Sequence, residues 1–303
     1  MKVRIGYGFG GQGAKPLEPS NYEALVDGLE RLGFDSLWLT ERVNADNPDP
    51  VAGLAYAAGR TRRLKLGTAV MVLPGRNPVL LAKELATLDQ LSRGRLLPAF
   101  GLGIVNAQEQ QAFGVRREDR AAWFEESLPL LRRLWAEDDV SHHGRRFHVE
   151  HVSVHPKPVR GGMDVWLGGT LPRELGRVGR LSDGWLPSFL TPPEAAAGRQ
   201  AIERAAALAE REIEDEHFGA LVQYSLRPLT DPEVERIRRR RDRIGPVDVD
   251  LLVPVGARAL RSRLEEFIEV GFSKFVVLPV SQPEVWEEEL GEVAEAVLPL
   301  QTP

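Results

Sequence analysis

Three short runs in this 303-residue chain have residue types that could do chemistry, each at the end of an apolar segment. Glu41-Arg42 follows Ser36 to Thr40. Gly101-Leu-Gly103, with Asn106 just beyond, follows Leu96 to Phe100. Gly168-Gly169-Thr170 follows Val165 to Leu167, a helix beginning at Pro172 comes next, and Ser188 lies after the following apolar segment. Backbone N–H groups at a helix N-terminus, together with a hydroxyl, make an anion site. The same residues also make a plain strand-to-helix turn with proline in the first helical position. The sequence leaves both open. These runs contain no carboxylate pair, no Ser-His-Asp set and no metal cluster, and the chain has no cysteine, which excludes disulfides, thiolate catalysis and Cys-ligated zinc. A glycine-rich, weakly titratable mouth suits a bound cofactor that carries the reaction, with the backbone packed closely against it.

Two polar clusters compete for attention. His142, His143, His148, His151 and His155 lie in HHGRRFHVEHVSVHP. A metal would need three or four of them to converge on one ion, whereas the valines at 149, 152 and 154 favour an extended surface excursion. The run RRRRDR (Arg238 to Arg243) sits with Glu233 and Glu235 in a polar insertion. It reads as a solvated helix face or as subunit salt bridges rather than as a nucleic-acid patch. The net charge of −5 likewise gives no reason to expect nucleic acid or a membrane as partner. Charged residues make up 27% and apolar ones 43%, as in a globular enzyme, and no apolar run approaches a membrane span. A cytoplasmic protein is expected.

The elements that would position these runs alternate regularly. Leu64 to Val72 is apolar and β-branched, as a strand buried on both faces should be. Pro74-Gly75 and Asn77-Pro78 break it. Leu80, Leu81, Leu85, Leu88 and Leu91 recur at helical spacing until Ser92 to Arg95, and Leu96 to Phe100 is the next strand. Such a unit makes parallel neighbours. Val3 to Tyr7 opens the chain as a strand ending in GYGFGG (Gly6 to Gly11), formally G-x-G-x-x-G. The helix after it starts only near Ser20, whose Glu23 completes a capping box, so a flexible site-lining loop is the better reading than a dinucleotide fingerprint. Further strands are Ser36 to Thr40, Val165 to Leu167, Trp185-Leu186, Phe218 to Leu226 and Phe275 to Leu278, each followed by a helix. An irregular stretch is expected at Asp138 to Gly162, and Asp231 to Gly256 reads as an insertion before the next helix. Eight strand–helix units in this length make a single (β/α)₈ TIM barrel spanning 1–303, with insertions between helix 4 and strand 5 and after strand 7. A doubly wound sheet would want fewer units. In a barrel the site lies at the carboxyl ends of the strands. That adds Thr40, Thr68 to Val72, Gly8 to Gly11, Arg227 and Pro279 to Ser281 to the lining.

KLGTAVMVLPGRNPVLLAKELATLDQLSRGR, then GLG and QEQQAFGV, then SHHGRRF, HPKPV, VWLGG and GRLSDGWLP, resemble the luciferase-like flavin and deazaflavin oxidoreductases, collinearly over nearly the whole chain. The resemblance implies a (β/α)₈ barrel binding coenzyme F420 or FMN across the strand ends. It implies a cis peptide at Ala69-Val70 backing the ring, Gly101, Gly103 and Asn106 along ring and ribityl chain, and Gly168, Gly169, Thr170 and Ser188 at the phosphate. Where several F420 enzymes have Asp-His after strand two, this chain has Glu41-Arg42. Arg42 stays protonated and cannot act as a base, which leaves Glu41 as the catalytic candidate, for cofactor contact or proton handling; a solvated carboxylate paired with Arg42 is the alternative. The compact GTAV-bearing chain favours F420-dependent hydride transfer to or from a small organic substrate. The alternatives are an FMN-dependent monooxygenase supplied by a partner flavin reductase, and a non-catalytic flavin or F420 binder. A homodimer is expected from such relatives.

Overall fold

The computed structural model describes residues 1–10 and 17–302. The end of the GYGFGG run and most of the loop to Pro19, read above as site-lining, lie outside the described residues. The architecture is α/β. In chain order the elements are β1 (Arg4–Phe9), α1 (Pro19–Leu32), β2 (Ser36–Leu39), α2 (Pro50–Arg60), β3 (Lys65–Thr68), β4 (Met71–Val72), α3 (Pro78–Ser92), β5 (Leu96–Leu97), β6 (Ala99–Gly101), α4 (Ala107–Phe113), α5 (Arg120–Ala136), β7 (Val140–His143), β8 (His148–Val152), β9 (Trp166–Leu167), α6 (Pro172–Leu181), β10 (Gly184–Trp185), α7 (Pro192–Leu208), β11 (Gly219–Tyr224), α8 (Asp231–Arg241), α9 (Ala257–Glu269), β12 (Lys274–Pro279) and α10 (Trp286–Val297). None of the described helices is long and apolar enough to cross a membrane.

The strands run parallel in the order β11-β12-β1-β2-β3-β5 and β10-β9-β6-β4. Parallel bridges from Trp185 to Phe218 and from Ser188 to Leu221 join β10 and the turn after it to β11. Two of the expected strands are divided. Leu64 to Val72 splits into β3 and β4 around the Ala69–Val70 peptide, which is cis. Leu96 to Phe100 splits into β5 and β6 at Pro98, which lacks an N–H for the ladder. The helices cover the strands with apolar stripes. On α3 the buried stripe is Leu81, Ala82, Leu85, Ala86 and Leu88, while Leu80 and Leu91 face outward, 63% and 70% exposed. The leucines at helical spacing therefore included two outside the packed face.

Two local readings need correction. Helix α1 begins at Pro19 with Glu18 as its cap, and no Ser20–Glu23 capping box forms. The stretch after α5 is not irregular throughout: β7 and β8 form an antiparallel hairpin. Its histidines pair separately, His142 with Glu126, His143 with Glu150 and His151 with Asp139, while His155 beyond it pairs with Asp138. The stretch after β11 carries a helix, α8, with its own apolar cluster of Ile237, Val249, Leu252, Val253 and Val280.

Helix α8 is fastened at its N-terminus by Glu233. That buried carboxylate accepts from Arg227 through two nitrogens (2.8 and 3.0 Å), from Thr230 N and Oγ1 (2.8 Å each), and from the Ser281 hydroxyl. Arg227, foremost, holds this carboxyl well below the usual carboxylate range. A depressed carboxylate contributes stability that is complete above its unfolded value, about 4.3, and is lost as pH falls through the folded one. Glu233→Gln is expected to cost about 2 kcal/mol at pH 7. The gap to the parent should narrow in urea titrations repeated at pH 3; an equal gap at both pH values would refute the assignment.

Candidate active site

Two cavities open at opposite ends of the strands. One, of about 690 Å³, is lined by strand-beginning residues such as Arg4, Ser36, Lys65 and Lys274. Several of its charges are paired, Asp35 with Arg4 and Lys65, and Asp183 with Arg132. The other, of about 520 Å³, lies at the carboxyl ends, where helix N-termini and glycine turns converge. Its volume suits a small-molecule site.

Thr40, Glu41, Ala69, Val70, Gly101, Gly103, Gly168, Gly169, Thr170 and Ser188 all line this second cavity. Thr68 and Asn106 do not. Thr68 Oγ1 is buried and binds both the carbonyl and the N–H of Ala99, at 2.7 and 2.8 Å, locking β3 to the start of β6. Asn106 caps α4, its side-chain oxygen accepting from Gln108 N (2.9 Å) and Glu109 N (3.1 Å). Gly8, Arg227 and Pro279 to Ser281 also lie outside the lining. Ala69, Val70, Phe100 and Leu167 give the cavity an apolar wall. A Cβ on Gly101 would stand 2.6 Å from Val70 Cγ2, so only glycine allows that wall.

Glu41 is buried and is not paired with Arg42. It accepts from Val72 N at 2.6 Å and binds the Arg76 guanidinium. Burial pushes its carboxyl up, and Arg76 with the Val72 N–H only partly restores it. Arg42 is held instead by Glu109, Nε to Oε1 at 2.6 Å, on the helix that Asn106 caps. The crossed pairing arises because α4, which the sequence reading missed, carries Glu109 to the strand end.

The anion cradle also differs in detail from its sequence form. The N–H groups of Thr170 and Leu171 donate to Glu174 Oε2 at 2.8 and 3.1 Å. Burial raises the Glu174 carboxyl, but these two N–H groups and Arg243 outweigh it and hold it low. The Thr170 and Ser188 hydroxyls have no hydrogen-bond partner among the described residues and both line the cavity. Trp185, at the end of β10, is fully buried and donates from Nε1 to the Gly169 carbonyl at 2.9 Å, fixing the turn from below. Open hydroxyls, an apolar wall and the guanidiniums of Arg177, Arg239, Arg240 and Arg243 fit a flat-ringed cofactor bearing a phosphate.

Arg239, Arg240 and Arg243 are the largest departure from the sequence reading, which placed RRRRDR on a solvated face or at a subunit interface. Those three line the cavity, and Arg241 is buried against Glu194 and the Phe189 carbonyl. The signal was present as a charge run, but its direction depends on how α8 packs. Arg120 was missed altogether. Buried at the start of α5, it donates from one nitrogen toward the carbonyls of Leu102, Gly103 and Ile104 at 3.2, 3.1 and 2.9 Å. Arg120→Ala is expected to leave three carbonyls of that turn unsatisfied and to cost about 2 kcal/mol. Amide exchange in residues 102–104 should rise more than in the strands; uniform protection would refute that role.

The family model for luciferase-like monooxygenases matches residues 5–270. A candidate coenzyme F420-dependent oxidoreductase of Mycobacterium tuberculosis is 30% identical over 203 residues, 63% of this chain and 56% of that protein. The chain thus spans about half the length of the curated relatives it matches. Among solved structures, an F420-dependent secondary alcohol dehydrogenase with an F420–acetone adduct has TM-score 0.81 at 21% identity, covering 100% of both chains. The FMN-bound oxygenating constituent of 3,6-diketocamphane monooxygenase of Pseudomonas putida has TM-score 0.78 at 17% identity, covering 100% of this chain and 99% of that one. At these identities the structures speak for the fold, while the family model decides the membership. The chain belongs to the luciferase-like monooxygenase family.

Proposed function

We propose that this chain is a coenzyme F420-dependent oxidoreductase that moves a hydride between the deazaflavin and a small organic substrate. In this reading its strand cycle is a closed (β/α)₈ barrel forming one domain. The observation that carries it is the carboxyl-end cavity, where an apolar wall meets two open hydroxyls. The names of the relatives support the cofactor class.

When bound, the deazaflavin would supply the hydride chemistry. The protein's own residues bind, orient and exclude water. Ala69 and Val70 back the ring, and the Thr170 and Ser188 hydroxyls donate to the phosphate. Glu41, its carboxyl raised by burial and held by Arg76 and the Val72 N–H, stands at the cavity wall, where it can pass a proton to or from a substrate oxygen or carbon. Arg42 keeps its charge on Glu109. A second reading, an FMN-dependent monooxygenase fed by a reductase, is favoured by the FMN-bound structural neighbour, because both cofactors present a phosphate to the same hydroxyls.

Fluorescence titration separates the two. F420 is expected to bind at least tenfold more tightly than FMN, and Ser188→Ala to weaken it about fivefold, near 1 kcal/mol. Preference for FMN would move the protein to the monooxygenase reading, and binding of neither would remove the enzyme assignment. Glu41→Gln should keep F420 affinity within about threefold while slowing deazaflavin oxidation by activated alkenes and ketones about a hundredfold. The parent's rate should fall as pH rises through the Glu41 pKa, and this limb should be absent in the variant. An unchanged limb would exclude Glu41 as the proton source.

A further inference from the structure

The carboxyl-end cavity carries more positive charge than a phosphate cradle uses. Its lining includes five arginines, at 42, 177, 239, 240 and 243, against three glutamates, at 41, 109 and 174, within a chain of net charge −5. Most of these charges have local partners: Arg42 with Glu109, Arg177 with Glu125, Arg239 with Glu235 and Arg243 with Glu174. Arg240 is the exception. It makes no hydrogen bond or ion pair among the described residues, and the charges acting on it are those of Arg42 and Arg236, both positive, and Glu109. Arg239 holds Glu235 only through an exposed i,i+4 pair, of a kind worth a few tenths of a kcal/mol.

The helix presenting them is anchored, not loose. Glu233 fastens its start, Ile237 packs into a local apolar cluster, Arg236 donates to the Val280 carbonyl at 2.8 Å, and Arg241 is buried on Glu194. Together these ties hold the helix in place, with Arg239 and Arg240 in the cavity lining and their guanidinium donors unused or weakly used. Like charges assembled on a fixed frame raise the local concentration of an anion and bind it when it arrives.

We propose that Arg239 and Arg240 form an anion subsite at the lip of the cavity, taking a carboxylate or phosphate group of the molecule that reacts there. The inference deepens the reading of the cavity as a cofactor site and makes the substrate an organic anion. The same chemistry could come from an anionic tail of the cofactor itself, and the experiment separates the two sources.

Citrate serves as the probe, titrated calorimetrically into cofactor-free protein, the Arg239→Gln/Arg240→Gln double variant, and Arg238→Gln, which removes one charge from the same turn outside the lining. Citrate binding at least tenfold weaker in the double variant, with Arg238→Gln within twofold of the parent, is the expected result. No binding by the parent, or equal losses in both variants, would overturn the subsite. Titrations are then repeated on protein saturated with F420. Retained citrate binding assigns the subsite to the substrate; loss of it, with F420 but not FMN weakened in the double variant, assigns it to the cofactor tail and overturns the anionic substrate. Arginine-dependent citrate binding in a protein that takes neither F420 nor FMN would leave the subsite standing and remove the cofactor reading alone.

Discussion

Parallel pairing is the constraint on which everything else in this structure depends. Two parallel strands cannot be joined by a tight turn, so each must return across the sheet through a helix. The returns bury both faces of β1, β2, β11 and β12, whose residues are almost all inaccessible. They also bring every strand's carboxyl end to one side. Glycine turns and helix N-termini therefore accumulate there, and with them open hydroxyls. The amino ends gather charges as well, among them Asp35 between Arg4 and Lys65. The asymmetry between the two ends comes from topology before any residue is chosen for chemistry.

The site is built mostly by residues that never touch its contents. Thr68 ties one strand to the next, Trp185 holds the Gly169 carbonyl, Arg120 gathers three carbonyls of the Leu102–Ile104 turn, and Asn106 caps the helix that delivers Glu109 to Arg42. Each supplies hydrogen bonds that a strand end or a turn cannot satisfy internally. A buried backbone group left unpaired costs more than a typical bond gains, so such residues decide the shape of the wall. Glu174, itself in the lining, occupies the helix N-terminal donors and leaves the hydroxyls of Thr170 and Ser188 to face the cavity.

Helix α8 adds an element that the repeating strand–helix pattern does not require. Its charge run is costly to gather in one place, and carboxylates hold both ends of the helix, buried Glu233 on Arg227 and half-exposed Glu194 on buried Arg241. Of the other arginines of the run, Arg239, Arg240 and Arg243 line the cavity, where a chain of net negative charge would otherwise repel an anion.

The sequence by itself determined the alternation of strands and helices, since that is written in apolar runs and helical spacing that local packing obeys. It also determined the strand ends, because Gly101, Gly103 and Gly169 stand where the backbone needs room or a positive φ, and Gly103 and Gly169 take φ of +79° and +109°. Pairing partners were not legible. Glu41 meets Arg76 and not its neighbour Arg42, because adjacent residues at a strand end point to different sides and α4 reaches only one of them. Nor could the direction of Arg239, Arg240 and Arg243 be read from a run of six polar residues, since every face of such a helix looks alike in sequence. Only packing of Ile237 and the ties of Glu233 and Arg241 choose which face meets the cavity. Local patterns fix elements because their forces act between near neighbours; the site's charges were settled by contacts tens of residues apart, which exist only once the chain has folded.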